Sequence, residues 1–274
     1  MTNLKKHLAL LGFLLAAAAS AAPALAQQAI RLSTTTSTEN SGLLQYLLPK
    51  FEAKANAKVK VISVGTGKAL ELAKNGDVDV TLVHARASED QFVAEGHGVN
   101  RRDVMYNDFI IAGPESDPAG IKGSKDVLAA MKKIAASGAK FISRGDNSGT
   151  DQMEKAYWKQ VGSQPQGGAY VSAGLGMGEV LNMAAELRGY TLTDRATYIA
   201  YRAKTGLQIA VEGDPKMFNP YGIIAVNPQK SKDVNYKGAM QLIEWITSSE
   251  GQQLIAAFKV DGRQVFFPSA STAR

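Results

Sequence analysis

The chain has 274 residues, with 31 Lys and Arg against 25 Asp and Glu and a net charge of +6. Charge this mild and scattered argues against nucleic acid as a partner. No Cys is present, which excludes disulfides and thiolate metal sites and leaves a sizeable apolar core to hold one large or two modest domains.

The first predicted element is a secretory signal. "MTNLKKH" is a short basic start, "LALLGFLLAAAA" is an apolar run too short for a comfortable membrane span, and "APALA" is a small-residue ending. Cleavage is expected after Ala26, making residues 1–26 a signal peptide and the remainder an exported, soluble chain. No Cys follows the cut, so no lipid anchor is expected, and no second long apolar run appears.

"IRLSTT" then reads as a short strand running into six consecutive hydroxyl residues, Ser33 to Thr38. Next, "ENSGLLQYLLPKFEAKA" places Leu43, Leu44, Leu47, Leu48 and Phe51 at helical spacing. Thr36 and Glu39 have capping-box spacing, so the helix is expected to begin inside the hydroxyl run. "KVKVISVG" alternates as a strand, "TGKALELAKNG" is a helix closed by Asn75-Gly76, and "DVDVTLVHA" is a further strand. This alternation is the pattern of a parallel α/β sheet.

A second series follows "FIIAGPESDP". "DVLAAMKKIAASG" reads as a helix, "AKFISRG" as a strand, "SGTDQMEKAYWKQVG" and "GEVLNMAAELRG" as helices, and "TDRATYIAYRAKTG" as a helix starting at Thr193. "MFNPYGIIAVNP" is strand-like, and two helices complete the chain. The stretches "MYNDFIIAGP" and "FNPYGIIAVNP" share a pattern and read as two crossings between lobes. One lobe is then 27–108 plus 222–274, and the other 109–221.

Four loops share one design, in which a strand leads through small or hydroxyl residues into a helix start: "STTTST", "SVGTGKA", "SRGDNSGT" and "SAGLGMGE". Helix starts expose unpaired N–H groups and the positive end of the dipole, which suits an anion. Any single loop of this kind reads as an ordinary N-cap. Arg144, set between the strand "KFIS" and the next helix, adds a fork of donors fitted to oxyanions, or pairs with Asp146 or Asp151.

Enzyme motifs are incomplete. "GDNSG" interrupts the serine-protease string with Asn147, and "VGTGKAL" lacks the first Gly of a P-loop and has Ala69 in place of its hydroxyl. His84 ends an apolar strand and reads as a satisfied structural group. No catalytic residue, metal site or cofactor is expected.

"STTTSTENSGLL", "VGTGKALELAKNGDVDVTLVHA", "FISRGDNSGTDQMEKAYW" and "YTLTDRATY" together resemble the periplasmic tungstate-binding proteins of ABC transporters. The resemblance implies an α/β, two-lobed periplasmic-binding-protein fold (type II) with two crossing segments and a ligand cleft between the lobes. It implies a tungstate or molybdate oxyanion as ligand, held by Thr35, Thr36, Thr66, Gly67, Arg144, Ser148, Gly149 and Thr150, with Gly176 a weaker candidate. It also implies delivery to an ABC transporter permease in the inner membrane, by a monomer. Where many such proteins have His after "SGT", this chain has Asp151, expected to face along its helix away from the anion. Phosphate is the alternative ligand, with Asp146 or Asp194 accepting its proton. A periplasmic serine hydrolase using Ser148 is the alternative of a different class.

Overall fold

The structure is a computed structural model and describes residues 28–270; the expected signal segment lies outside them. Strand β1 (Gln28–Thr35) buries Ile30 and Leu32 and lies between two parallel neighbours, β2 (Ala57–Val64) and β3 (Val80–Val83). Parallel neighbours need crossover connections, and helices supply them. Between β1 and β2 come α1 (Thr36–Asn40) and α2 (Leu43–Ala55), between β2 and β3 comes α3 (Thr66–Asn75), and α4 (Arg86–Ala94) follows β3. The hydroxyl run does open a helix, but Thr35 rather than Thr36 is its cap, and Gly42 at φ +80° divides what the spacing reads as one helix. Only glycine takes that backbone angle without strain. α2 then buries Leu43, Leu44, Leu47, Leu48 and Phe51, the face its periodicity predicts.

The sheet continues antiparallel through β9 (Phe218–Val226) and β4 (Gly98–Gly113), with the short β10 (Phe267–Pro268) at its edge. Strand β4 passes from one lobe to the other. Its residues 98–108 pair with β9, whereas residues 109–113 pair with β7 (Thr191–Asp194) and β8 (Gln208–Val211). The two look-alike stretches of the sequence therefore lie side by side, Asp108 opposite Phe218, as two crossing segments.

The second lobe adds the parallel pair β5 (Phe141–Ser143) and β6 (Tyr170–Ser172). Around them pack α5 (Val127–Ser137), α6 (Gly149–Val161), α7 (Met177–Glu186) and α8 (Arg195–Thr205). Phe109, Ile111, Met131, Ile134, Phe141 and Trp158 belong to its core. Helix α8 starts at Arg195, not at Thr193. Thr191–Asp194 extend β7, and the Asp194 carboxylate caps the helix by accepting from Thr197 N at 2.9 Å. Helices α9 (Tyr236–Ile246) and α10 (Ser249–Ala257) return to the first lobe, where Trp245 packs 5.5 Å from Phe51. Among the described residues no helix is long and apolar enough to cross a membrane.

Glu154 on α6 is buried in the second lobe, and its Oε1 accepts from Trp158 Nε1 (2.9 Å) and Tyr170 Oη (2.7 Å). Burial pushes its carboxyl up to about 7. The folded state thus holds this proton more tightly than the unfolded chain does. Its contribution is complete below the ordinary carboxylate range and is lost as pH rises through about 7. Glu154→Gln keeps the accepting oxygen and is expected to flatten the fall in stability between pH 5 and pH 8, read by denaturant titration. An identical slope in parent and variant would refute this.

Candidate functional site

The six hydroxyls of the opening run have separate fates. Ser33 Oγ donates to Ala69 O (3.0 Å) and Thr34 Oγ1 to Leu82 O (2.8 Å), tying β1 to its neighbours. Thr35 Oγ1 caps α1 by accepting from Thr38 N (3.3 Å), and lies 3.0 Å from Ser37 Oγ, 2.7 Å from Thr38 Oγ1 and 3.2 Å from His84 Nε2. Thr36 faces the other lobe, where its hydroxyl accepts from Arg144 Nη2 at 2.9 Å.

Arg144 leaves the end of β5 with its side chain wholly buried. Nη2 also donates to Asp146 Oδ2 at 2.6 Å, so the ion pair weighed from the sequence forms at one nitrogen. Nε and Nη1 are buried without any hydrogen-bond partner in the protein, as is Thr150 Oγ1 in the first turn of α6. Leaving a buried donor unpaired costs about 1–3 kcal/mol, and more when it is charged. A site that holds several such donors is built for acceptors.

The loop between β5 and α6 is held from beneath. Ser148 caps α6, its Oγ accepting from Asp151 N at 3.2 Å. Asp151 stays away from the loop's open donors, but not by facing along the helix. Its carboxylate folds back to accept from Gly145 N (3.2 Å), Asn147 N (3.0 Å) and Lys155 Nζ (2.6 Å). Those N–H groups turn inward because Gly145 and Asn147 have φ of +61° and +57°.

The lobes meet across this loop. Gly149 N donates to Thr66 Oγ1 (3.0 Å), Gly67 N to Asn147 O (3.3 Å) and Ser88 Oγ to Gln152 Oε1 (2.9 Å). A Cβ on Gly67 would overlap Asn147 Nδ2 and push that side chain aside. Thr36, Thr66, Gly67, Arg144 and Gly149 are thereby joined across the cleft, with Ser148 and Thr150 at the start of α6. Gly176 caps α7, and a Cβ there would lie 3.5 Å from Thr36 Oγ1, so that loop borders the same place.

Arg144 and Asp146 pair at the cleft, and His84 beside them is neutral. Burial lowers its pKa to about 4, the nearby Arg144 charge acting in the same direction. His84 does not serve Ser148: its ring nitrogens face Asn219 Oδ1 and the hydroxyls of Ser37 and Thr35. Among the described residues no group of three or more His, Cys, Asp or Glu could hold a metal ion. Sequence reasoning treated His84 as structural and did not anticipate its link through Asn219 to Asn107. Those asparagines lie 112 positions apart and meet only through strand register.

Two lobes joined by two crossing strands, with buried donors converging from both, define a solute-binding protein. Residues 17–250 match the model of the PBP superfamily domain. The chain is 50% identical over 250 residues to the tungstate-binding protein TupA of Peptoclostridium acidaminophilum, covering 90% of this chain and 87% of that one. The crystal structure of the tungstate ABC transporter from Geobacter sulfurreducens is similar at 57% identity and a TM-score of 0.78, covering 84% of this chain and 98% of that one. The tungstate-binding protein TupA from Desulfovibrio alaskensis G20 is similar at 46% identity and a TM-score of 0.75, covering 89% and 100%. The chain belongs to the PBP superfamily and, within it, to the family of these tungstate-binding relatives.

Proposed function

We propose that this protein binds tungstate, and molybdate alongside it, in the periplasm and delivers the ion to an ABC permease in the inner membrane. The observation that carries the reading is the fully buried Arg144, with Nε and Nη1 unpartnered in the protein. Tungstate is acceptor-only at neutral pH and answers such donors without needing an acceptor in return. Thr36, Thr66 and Thr150 supply hydroxyls, and Gly67, Ser148 and Gly149 the backbone around them. Thr35 belongs to the site through its cap on α1. The relatives' names, tungstate-binding proteins and a tungstate ABC transporter, support the ligand and the transport role. The lobes are read as 27–108 with 222–274, and 109–221; the change of β4 partners between Asp108 and Phe109 supports the first boundary, whereas residues 218–221 pair with residues 105–108 and so move the return crossing ahead of Phe218.

Phosphate remains a second reading for one reason. Asp146 Oδ2, 2.6 Å from Arg144 Nη2, is the kind of acceptor a hydrogen phosphate needs. Calorimetric titration with tungstate, molybdate, sulfate and phosphate separates the two. Tungstate and molybdate are expected to bind; heat from phosphate alone would transfer the site to the second reading.

The cross-cleft bonds from Gly149 to Thr66 and from Gly67 to Asn147 describe closed lobes. Donors from both lobes must reach one small ion, so binding should favour closure. Small-angle scattering is expected to give a smaller radius of gyration with tungstate than without. Superimposable curves would mean that closure does not depend on the ion.

A further inference from the structure

Behind the hydroxyl run, a chain of hydrogen bonds leads from the crossing strands to α1, and the orientations of the Asn107 and Asn219 amides give it a direction. At one end, Asp194 accepts from Thr197 N (2.9 Å), from Thr197 Oγ1 (2.7 Å) and, at 3.5 Å, from Asn107 Nδ2. With its amide nitrogen turned there, Asn107 offers Oδ1 to Asn219 Nδ2 at 2.6 Å; the two face each other in the β4–β9 register. Asn219 then presents Oδ1 to His84 Nδ1 at 3.0 Å. A carbonyl oxygen only accepts, so Nδ1 carries the proton.

That leaves Nε2 of a neutral ring as an acceptor. It lies 3.1 Å from Ser37 Oγ and 3.2 Å from Thr35 Oγ1. Thr35, Ser37 and Thr38 otherwise contact one another through hydroxyls that each bring a proton of their own. His84 is stacked 4.7 Å from Tyr221, which prevents the ring from turning over freely. The charged groups acting on it are Arg144 and Asp146, of opposite sign, and burial keeps it neutral.

We propose that His84 is a positioning residue of the anion site: as the Nδ1–H tautomer it draws the protons of Thr35, Ser37 and Thr38 inward, fixing the α1 cap and leaving Thr36 as the hydroxyl of the run that serves the ligand. Ser33 and Thr34 are already committed to backbone carbonyls. Thr36 alone accepts from Arg144, and its proton is free for an oxyanion. The role rests on the oxyanion reading above and acts through Thr35 and Thr36, not by contact with the ion.

Two amide substitutions separate the halves of the ring. Glutamine reaches as far as Nε2 and can return an accepting oxygen to the hydroxyls. Asparagine reaches only Nδ1 and leaves them without one. Tungstate calorimetry on the full chain is expected to show His84→Asn binding about tenfold more weakly than His84→Gln, the size of one buried hydrogen bond lost. Equal affinities would overturn the proposal. Long-range proton–nitrogen NMR of the unsubstituted protein is expected to find Nδ1 protonated and Nε2 bare at neutral pH. The opposite tautomer, or an imidazolium, would also overturn it, and this measurement needs no variant to fold. If the parent protein binds no tungstate, the functional reading fails, while the tautomer measurement still decides the relay.

Discussion

Arg144→Lys is expected to raise the dissociation constant for tungstate at least about tenfold, while the ligand-free variant melts close to the parent. The guanidinium holds three nitrogens in one plane, of which Nη2 is committed to Thr36 and Asp146, and Nε and Nη1 are not. A lysine ammonium keeps the charge but is a single point on a flexible stem. Drawn to Asp146, it leaves the ion; drawn to the ion, it leaves Asp146 unpaired. A charged hydrogen bond left unmade costs about 1.5–3 kcal/mol, and each 1.4 kcal/mol is a factor of about ten in affinity. Calorimetry on both proteins checks it. Unchanged affinity would remove Arg144 from the site and with it the main physical support for an oxyanion ligand.

How much of this was legible in the sequence depended on how local each signal was. The face of α2 was readable because Leu43, Leu44, Leu47, Leu48 and Phe51 are spaced by helix geometry alone. β7 was not, because "TLTD" is buried along its whole length and shows no alternation. Sequence therefore assigns its last two residues, Thr193 and Asp194, to the helix that Asp194 caps. Only the apolar half of β4 announced itself; residues 98–105 include two register shifts that blur the period. The position of Arg144 between a strand and a helix start was legible. The separate fates of six adjacent hydroxyls were not. They depend on His84, Ala69 and Leu82, each at least 36 positions from its partner in the run. A run of like residues tells the reader that hydroxyls are wanted, and only the packed structure tells which of them face inward.

Saturating tungstate is expected to raise the melting temperature by about 10 °C. A ligand that binds only the folded state stabilises it by RT ln(1 + [L]/Kd), about 4 kcal/mol at a thousandfold excess over Kd. For a chain of this size, each kcal/mol moves the midpoint by roughly 2–4 °C. Molybdate, of like charge and nearly like size, should give a comparable shift. Sulfate is the smaller tetrahedron, and donors spaced for tungstate would meet it through stretched bonds, so its shift at equal concentration should be slight. Hydrogen phosphate brings a proton that needs an acceptor, and Asp146 already takes Arg144 Nη2 and Ser148 N, while Asp194 takes Thr197 N and Thr197 Oγ1. Its shift should also be slight. Thermal scans with each anion at one concentration decide the matter, and a large phosphate shift with none from tungstate would reassign the ligand while leaving the two-lobed donor cleft in place.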